Sequence, residues 1–287
     1  MCSSDLGGLM FGIGMVLAGG CGARSLVRAG SGSLKSLVTL VVIGLVAYLT
    51  LRGLLAVPRT KWLEAPVLEL GAGQSLPALL AAASGSQADR WVLPLGLGLG
   101  GALVAWALAA RDLRRFEPLL AGVGIGSIVV AMWWVSGHLG FVAEHPDTLE
   151  PAYLGTASRR MEALSFVAPV AQLLDWLMFF TDRGRALTLG AVAVVGMFAG
   201  AAAGALAARR FRWEGFRDTE DTANHLVGGA LMGFGGVTAM GCTIGQGLSG
   251  VSTLSIGSIL ALAAIAAGAV LGVRYQAWRL DRLDAQG

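Results

Sequence analysis

Five stretches of this chain, 34–51, 91–110, 118–135, 186–208 and 253–273, are apolar and, apart from Lys35, carry no charge. At 1.5 Å rise per residue, about 20 such residues span the roughly 30 Å hydrocarbon core of a bilayer. A chain built this way buries its backbone polar groups in helices, because lipid offers no other partner. Composition agrees: 55% of the 287 residues are hydrophobic, 14% are charged, and mean hydropathy is +0.69. A soluble domain runs near 25% charged residues and needs them for its exterior. Disorder and a disulfide scaffold are excluded by the apolar content and by a total of three cysteines. The expected class is an all-α, polytopic integral membrane protein forming one transmembrane domain over 1–287.

The net charge of +3 and the pI near 9 suit loop charge that orients the chain, not nucleic acid. If the loop 111–117 faces the cytoplasm, alternation places 22–35, 209–222 and 274–287 on the same side. Thirteen of the 21 Lys and Arg then lie inside (24, 28, 35, 111, 114, 115, 209, 210, 212, 217, 274, 279 and 282). The first six residues, MCSSDL, lack the pattern of a signal peptide. They read as a sequencing or cloning artefact before a helix that opens at Gly7, and Cys2 is given no role.

Two segments break the simple spanning pattern. Residues 8–21 read GLMFGIGMVLAGGC and residues 229–242 read GALMGFGGVTAMGC. Seven of fourteen positions agree without a gap, including Gly14 with Gly235, Gly20 with Gly241 and Cys21 with Cys242. Each is expected to be a half-helix of about 14 residues followed by a polar loop. The layout makes them an inverted repeat, 7–110 against 118–274. Paired, glycine-interrupted short segments point to the central site of a transporter. The segments 67–83 and 161–180, the latter holding Pro169 and Asp175, are further candidate re-entrant pieces. GxxxG at Gly96/Gly100 and Gly200/Gly204 is expected to pack helix on helix.

The loops after the cysteines carry the chemistry. Cys21 is flanked by Gly20 and Gly22 and followed by Arg24. Cys242 follows Gly241 and precedes Thr243, Gly245 and Gln246. Hydroxyls, an amide and turn N–H groups suit a small oxyanion. On this reading each cysteine lies at the partially negative C-terminal end of a helix. The N–H groups of 22–25 and 243–247, with Arg24, must offset that field. The two thiols are expected near mid-membrane, facing each other along one path. Spacing provides no metal motif, no cofactor motif and no nucleophile–base pair. His225 reads as a helix-start cap, and His138 and His145 as solvated. Asp175 is either a proton or cation site or a residue snorkelling to the interface. Trp133, Trp134, Trp176 and Trp278 read as interface residues.

The twin motifs GGLMFGIGMVLAGGCGARSLVRAG and GGALMGFGGVTAMGCTIGQGLSGVSTLS resemble the YeeE/YedE family of bacterial inner-membrane proteins over nearly the whole chain. The resemblance implies uptake of thiosulfate, with Cys21 and Cys242 passing the ion along by S–H···S hydrogen bonds. It also implies a further cysteine in a more N-terminal segment that this chain lacks, and a small cytoplasmic sulfur-carrier protein as partner. The rival readings are transport of another sulfur or selenium species, and a membrane-embedded thiol enzyme that transfers sulfur.

Overall fold

The computed structural model describes residues 2–63, 74–144, 150–182 and 186–284. Eleven helices follow in chain order among these residues. They are α1 (Cys2–Leu17), α2 (Gly22–Gly30), α3 (Leu34–Arg52), the single turn α4 (Ala56–Pro58), α5 (Leu76–Ser84) and α6 (Asp89–Ala109). Then come α7 (Phe116–Trp134), α8 (Val167–Met178), α9 (Leu189–Ala207), α10 (Thr219–Thr238) and α11 (Ile256–Asp284). A two-residue ribbon, β1 (Phe141–Val142) against β2 (Ala152–Tyr153), is antiparallel with Phe141 opposite Tyr153. Six helical stretches among the described residues are long and apolar enough to cross a membrane: 4–30, 34–52, 89–109, 116–139, 189–207 and 256–279. The molecule is an all-α, multi-pass membrane protein.

Helix boundaries differ from the sequence pattern where capping overrides hydropathy. The stretch from 229, expected as a half-helix of about 14 residues, is the second half of the 20-residue α10, which ends at Thr238. The Asp218 carboxylate accepts from the Asp221 N–H at 2.6 Å, and Glu220 and Asp221 place negative charge on the first turn. That start lies inside what hydropathy reads as a charged loop. His225 therefore sits a turn inside the helix, buried, with Nδ1 2.8 Å from the Asp221 carbonyl. It does not cap the start. Within the stretch 21–33 a helix forms, α2. Pro169 does not break α8, because it falls in the first turn, where no N–H bond is lost. The charged tail continues α11 as helix. In the segment 67–83, α5 covers the part from Leu76, and the remainder up to residue 73 lies outside the described residues, as does His145.

The core is a glycine-mediated seam. α1 runs antiparallel to α10: Gly7 meets Gly235 and Ala239, and Gly14 meets Gly228 and Met232. A Cβ on Gly14 would lie 2.6 Å from the Gly228 carbonyl oxygen. α1 runs parallel to α11, from Gly8 at Ala261 to Val16 at Gly272. α3 runs parallel to α10, from Thr39 at Gly229 to Ala47 at Gly233. Phe11, Ile43, Met232 and Ile265 fill this seam and are fully buried. The glycines at 8, 12, 229 and 233 pack closely, but those at 96, 100, 200 and 204 meet nothing within 4 Å. The expected packing is absent at all four: Gly96 and Gly100 on α6, and Gly200 and Gly204 on α9, face no other helix among the described residues. After α7 the chain is tied to the segment before α8, where the Ser136 hydroxyl donates to the Glu162 carbonyl at 2.7 Å.

Candidate functional site

The turn before Cys242 closes α10 with two reversed bonds. Met240 N–H donates to the Val237 carbonyl at 3.0 Å and Gly241 N–H to the Gly236 carbonyl at 2.8 Å. That geometry requires a left-handed residue, and Met240 supplies it at φ +56°. The turn before Cys21 is built bond for bond alike. Gly19 donates to Val16 at 3.1 Å and Gly20 to Met15 at 2.9 Å, with Gly19 at φ +70°. Each pair of residues stands in the register of the sequence match. After each turn the cysteine carbonyl accepts the first bond of a new helix: Ser25 N–H on Cys21 at 2.9 Å, Gln246 N–H on Cys242 at 2.8 Å.

That last bond corrects the electrostatic expectation. Cys21 is the N-cap of α2, in extended conformation at φ −71°, ψ 169°. Cys242 opens a short helix that winds through a wide turn at Gly245–Gly250. Three residues separate each thiol from the helix before it, so the nearer dipole end is a positive N-terminus. The first N–H groups there have no acceptor within the helix. One of them, Gly245 N–H, points at Cys242 Sγ at 3.4 Å. The local field attracts an anion instead of opposing it.

Cys242 is fully buried, and its sulfur lies 4.0 Å from the Ser165 hydroxyl. Gly245 packs against that serine: a Cβ there would lie 2.9 Å from Ser165 Oγ. Gln246 donates from Nε2 to the Ala239 carbonyl and so ties the new helix back to the end of α10. The Thr243 hydroxyl is buried with no hydrogen-bond partner among the described residues. Above this floor opens a cavity of about 680 Å³. Gly241, Gly245 and Gln246 line it together with Ser165, Gln172 and Ser249, and Arg59 and Arg160 stand in its wall. Trp133 also lines this cavity. Sequence reasoning placed Ser249 in the polar loop after Cys242 but missed Ser165 and Arg160. The pairing of Ser249 with the Leu164 carbonyl at 2.8 Å spans 85 residues and leaves no local pattern.

Cys21, Gly20, Gly22 and Arg24 are not part of this cavity. Ala18, three residues before Cys21, packs on Gly228, whereas Cys242 lies beyond Thr238 at the other end of α10. Ten residues of helix separate those levels, roughly 15 Å. The thiols therefore do not face each other, because the helices that carry them run antiparallel. Around Cys21 the arginines serve the turn. The Arg24 side chain covers Gly20, and Arg28 donates to the Gly19 carbonyl at 3.3 Å.

The chain is a membrane-embedded helical bundle with polar, cysteine-bearing turns at helix breaks, and it belongs to the Sulphur transport family, whose model matches residues 3–271. It is 27% identical over 263 residues to the thiosulfate transporter TsuA of Escherichia coli, covering 85% of this chain and 65% of that protein. It is 28% identical over 295 residues to the thiosulfate transporter TsuA of Spirochaeta thermophila, covering 96% of this chain and 77% of that protein.

Proposed function

We propose that this protein takes up thiosulfate, or a sulfur oxyanion of like size and charge, into the cytoplasm across a bacterial inner membrane. The observation that carries the reading is Cys242. A buried thiol, an amide N–H aimed at it and a serine hydroxyl meet at the Cys242 turn, next to a cavity with arginines in its wall, and the hydroxyl of the adjoining Thr243 is buried without a partner among the described residues. Donors outnumber acceptors here, with Glu162 the carboxylate in the cavity wall among the described residues, which favours passing an anion. The names of the two relatives support thiosulfate as the ion.

On this reading Cys242 with Gly241, Thr243, Gly245 and Gln246 forms the outer station. Cys21 with Gly20, Gly22 and Arg24 forms the inner one. The antiparallel packing of α1 and α10 and their like turns support two units of opposite orientation, 7–110 and 118–274. A small sulfur-carrier protein at the cytoplasmic face stays part of the proposal on the family resemblance alone.

The test is uptake of thiosulfate labelled on both sulfurs by proteoliposomes. Cys242→Ala is expected to cut the initial rate at least tenfold while the variant stays folded, since one small side chain in a turn contributes little packing. Arrival of the two labels in equal amount supports transport of the intact ion. Separated labels would establish the sulfur-transferring enzyme instead, and parental uptake by Cys242→Ala would remove the thiol from the path.

A further inference from the structure

Beyond α2, the chain folds a second polar cavity that the proposed path does not use. Gly32 stands at φ +104°, and a Cβ there would lie 2.5 Å from the Arg212 carbonyl oxygen. Only glycine admits the segment 210–214 so close to the turn 31–34. Three main-chain bonds then clip the two together: Arg212 N–H to Ser31 at 3.2 Å, Glu214 N–H to Gly32 at 3.2 Å, and Leu34 N–H to Glu214 at 2.9 Å. The clip encloses about 490 Å³ between Arg28, Arg210, Arg212 and Trp213.

Charge in this cavity is one-sided. Its carboxylate, Glu214, is bound to the buried Lys35 ammonium at 2.9 Å. The Lys35 hydrogen bond holds the Glu214 carboxyl below the usual carboxylate range, with the charges of Lys35, Arg28 and Arg217 acting the same way, so the pair stays ionised. Among the described residues, Arg28, Arg210 and Arg212 have no carboxylate within ion-pair distance. Three arginines line this one cavity; like charges gathered on one surface favour an anion beside them, and planar guanidinium forks match the oxygens of a tetrahedral oxyanion. Arg28 also reaches the Gly19 carbonyl in the turn before Cys21, so the cavity adjoins the inner station.

We propose that Arg28, Arg210 and Arg212 form a second oxyanion site at the Cys21 end of the molecule. It rests on the transport reading for its role: the site would receive the ion beyond Cys21, at the cytoplasmic mouth. A tetrahedral oxyanion could come from two sources, the free transported ion or the phosphate of an anionic lipid.

The experiment is equilibrium binding of ³⁵S-thiosulfate to the full chain in zwitterionic nanodiscs, in a Cys242→Ala background so that the outer station does not mask the inner site. The expected result is retained binding that R210Q/R212Q weakens at least tenfold. The difference should vanish near 0.5 M salt, where the Debye length falls to a few Å. Arg212→Lys, which keeps the charge but loses the fork, is expected to weaken binding a few-fold. It serves as the readout if the double variant does not fold.

Native mass spectrometry of protein from phosphatidylglycerol membranes separates the sources. Phospholipid held by the parent and lost in R210Q/R212Q, with thiosulfate binding unaffected by the substitutions, assigns the site to lipid phosphate. Equal thiosulfate binding and equal lipid retention in parent and variant would overturn the site. Loss of uptake is not the readout, so failure of the transport reading and failure of this site are told apart.

Discussion

The Thr243 hydroxyl sits beside the Cys242 turn, buried and unpaired. An unsatisfied hydroxyl costs about 1–3 kcal/mol, and replacing it by a methyl of the same shape is neutral or stabilising. Thr243→Val is therefore expected to hold or raise the melting temperature. If the hydroxyl binds the ion, the same change lowers uptake several-fold by raising the half-saturating concentration. Parental uptake with raised stability would make Thr243 a packing residue. At this scale the sequence is informative where the chemistry is contiguous. Gly241, Cys242, Gly245 and Gln246 meet because one turn holds them. Ser165 comes from 77 residues away, and nothing in its neighbourhood marks it. The sign of the helix field at each cysteine was hidden as well. A three-residue turn decides whether a thiol ends one helix or starts the next, and hydropathy does not see such a turn.

The elements divide by how closely their backbones approach. Gly235 lies on the α1–α10 seam, where a Cβ would come 2.6 Å from the Gly7 carbonyl oxygen and 2.7 Å from the Phe11 nitrogen. Backbone cannot step aside as a side chain can, so Gly235→Ala is expected to destabilise by about 3 kcal/mol, the upper range for overpacking. Gly96 meets nothing within 4 Å, and Gly96→Ala should be neutral or gain up to about 1 kcal/mol of helix propensity. Thermal unfolding in one detergent compares the two. GxxxG reads the same in sequence at both places, and only the partner helix distinguishes them. The Lys35–Glu214 pair is an element-scale clip as well. Because the folded carboxyl titrates below its ordinary value of 4.5, its contribution is present above that pH and lost as pH falls through the lower folded value. The Glu214 side chain is 45% exposed, so the pair contributes under about 1 kcal/mol. Glu214→Gln should lower the melting temperature slightly at pH 7, and parent and variant should converge only well below pH 4.5.

At the scale of the whole molecule, packing brings together loops that the chain keeps far apart. Arg279 pairs with Glu220 at 3.1 Å, Lys35 with Glu214 at 2.9 Å, and Gln276 donates to the Val16 carbonyl at 3.3 Å. The basic segments 24–35, 209–217 and 274–282 thus share one end of the bundle, and on the proposed reading that end faces the cytoplasm. Cys242, Ser165 and the large cavity lie toward the other end of α10 from Cys21. This arrangement makes orientation measurable with single cysteines placed in a background lacking Cys2, Cys21 and Cys242. Arg160→Cys lines the outer cavity and Arg210→Cys the basic end. In intact spheroplasts a membrane-impermeant maleimide should label Arg160→Cys and leave Arg210→Cys unlabelled. Permeabilisation should expose Arg210→Cys. The reverse pattern would invert the molecule, making the Arg28–Arg210–Arg212 cavity the entrance and directing the proposed path outward. Labelling of both from one side would show that the helices between them do not cross the bilayer.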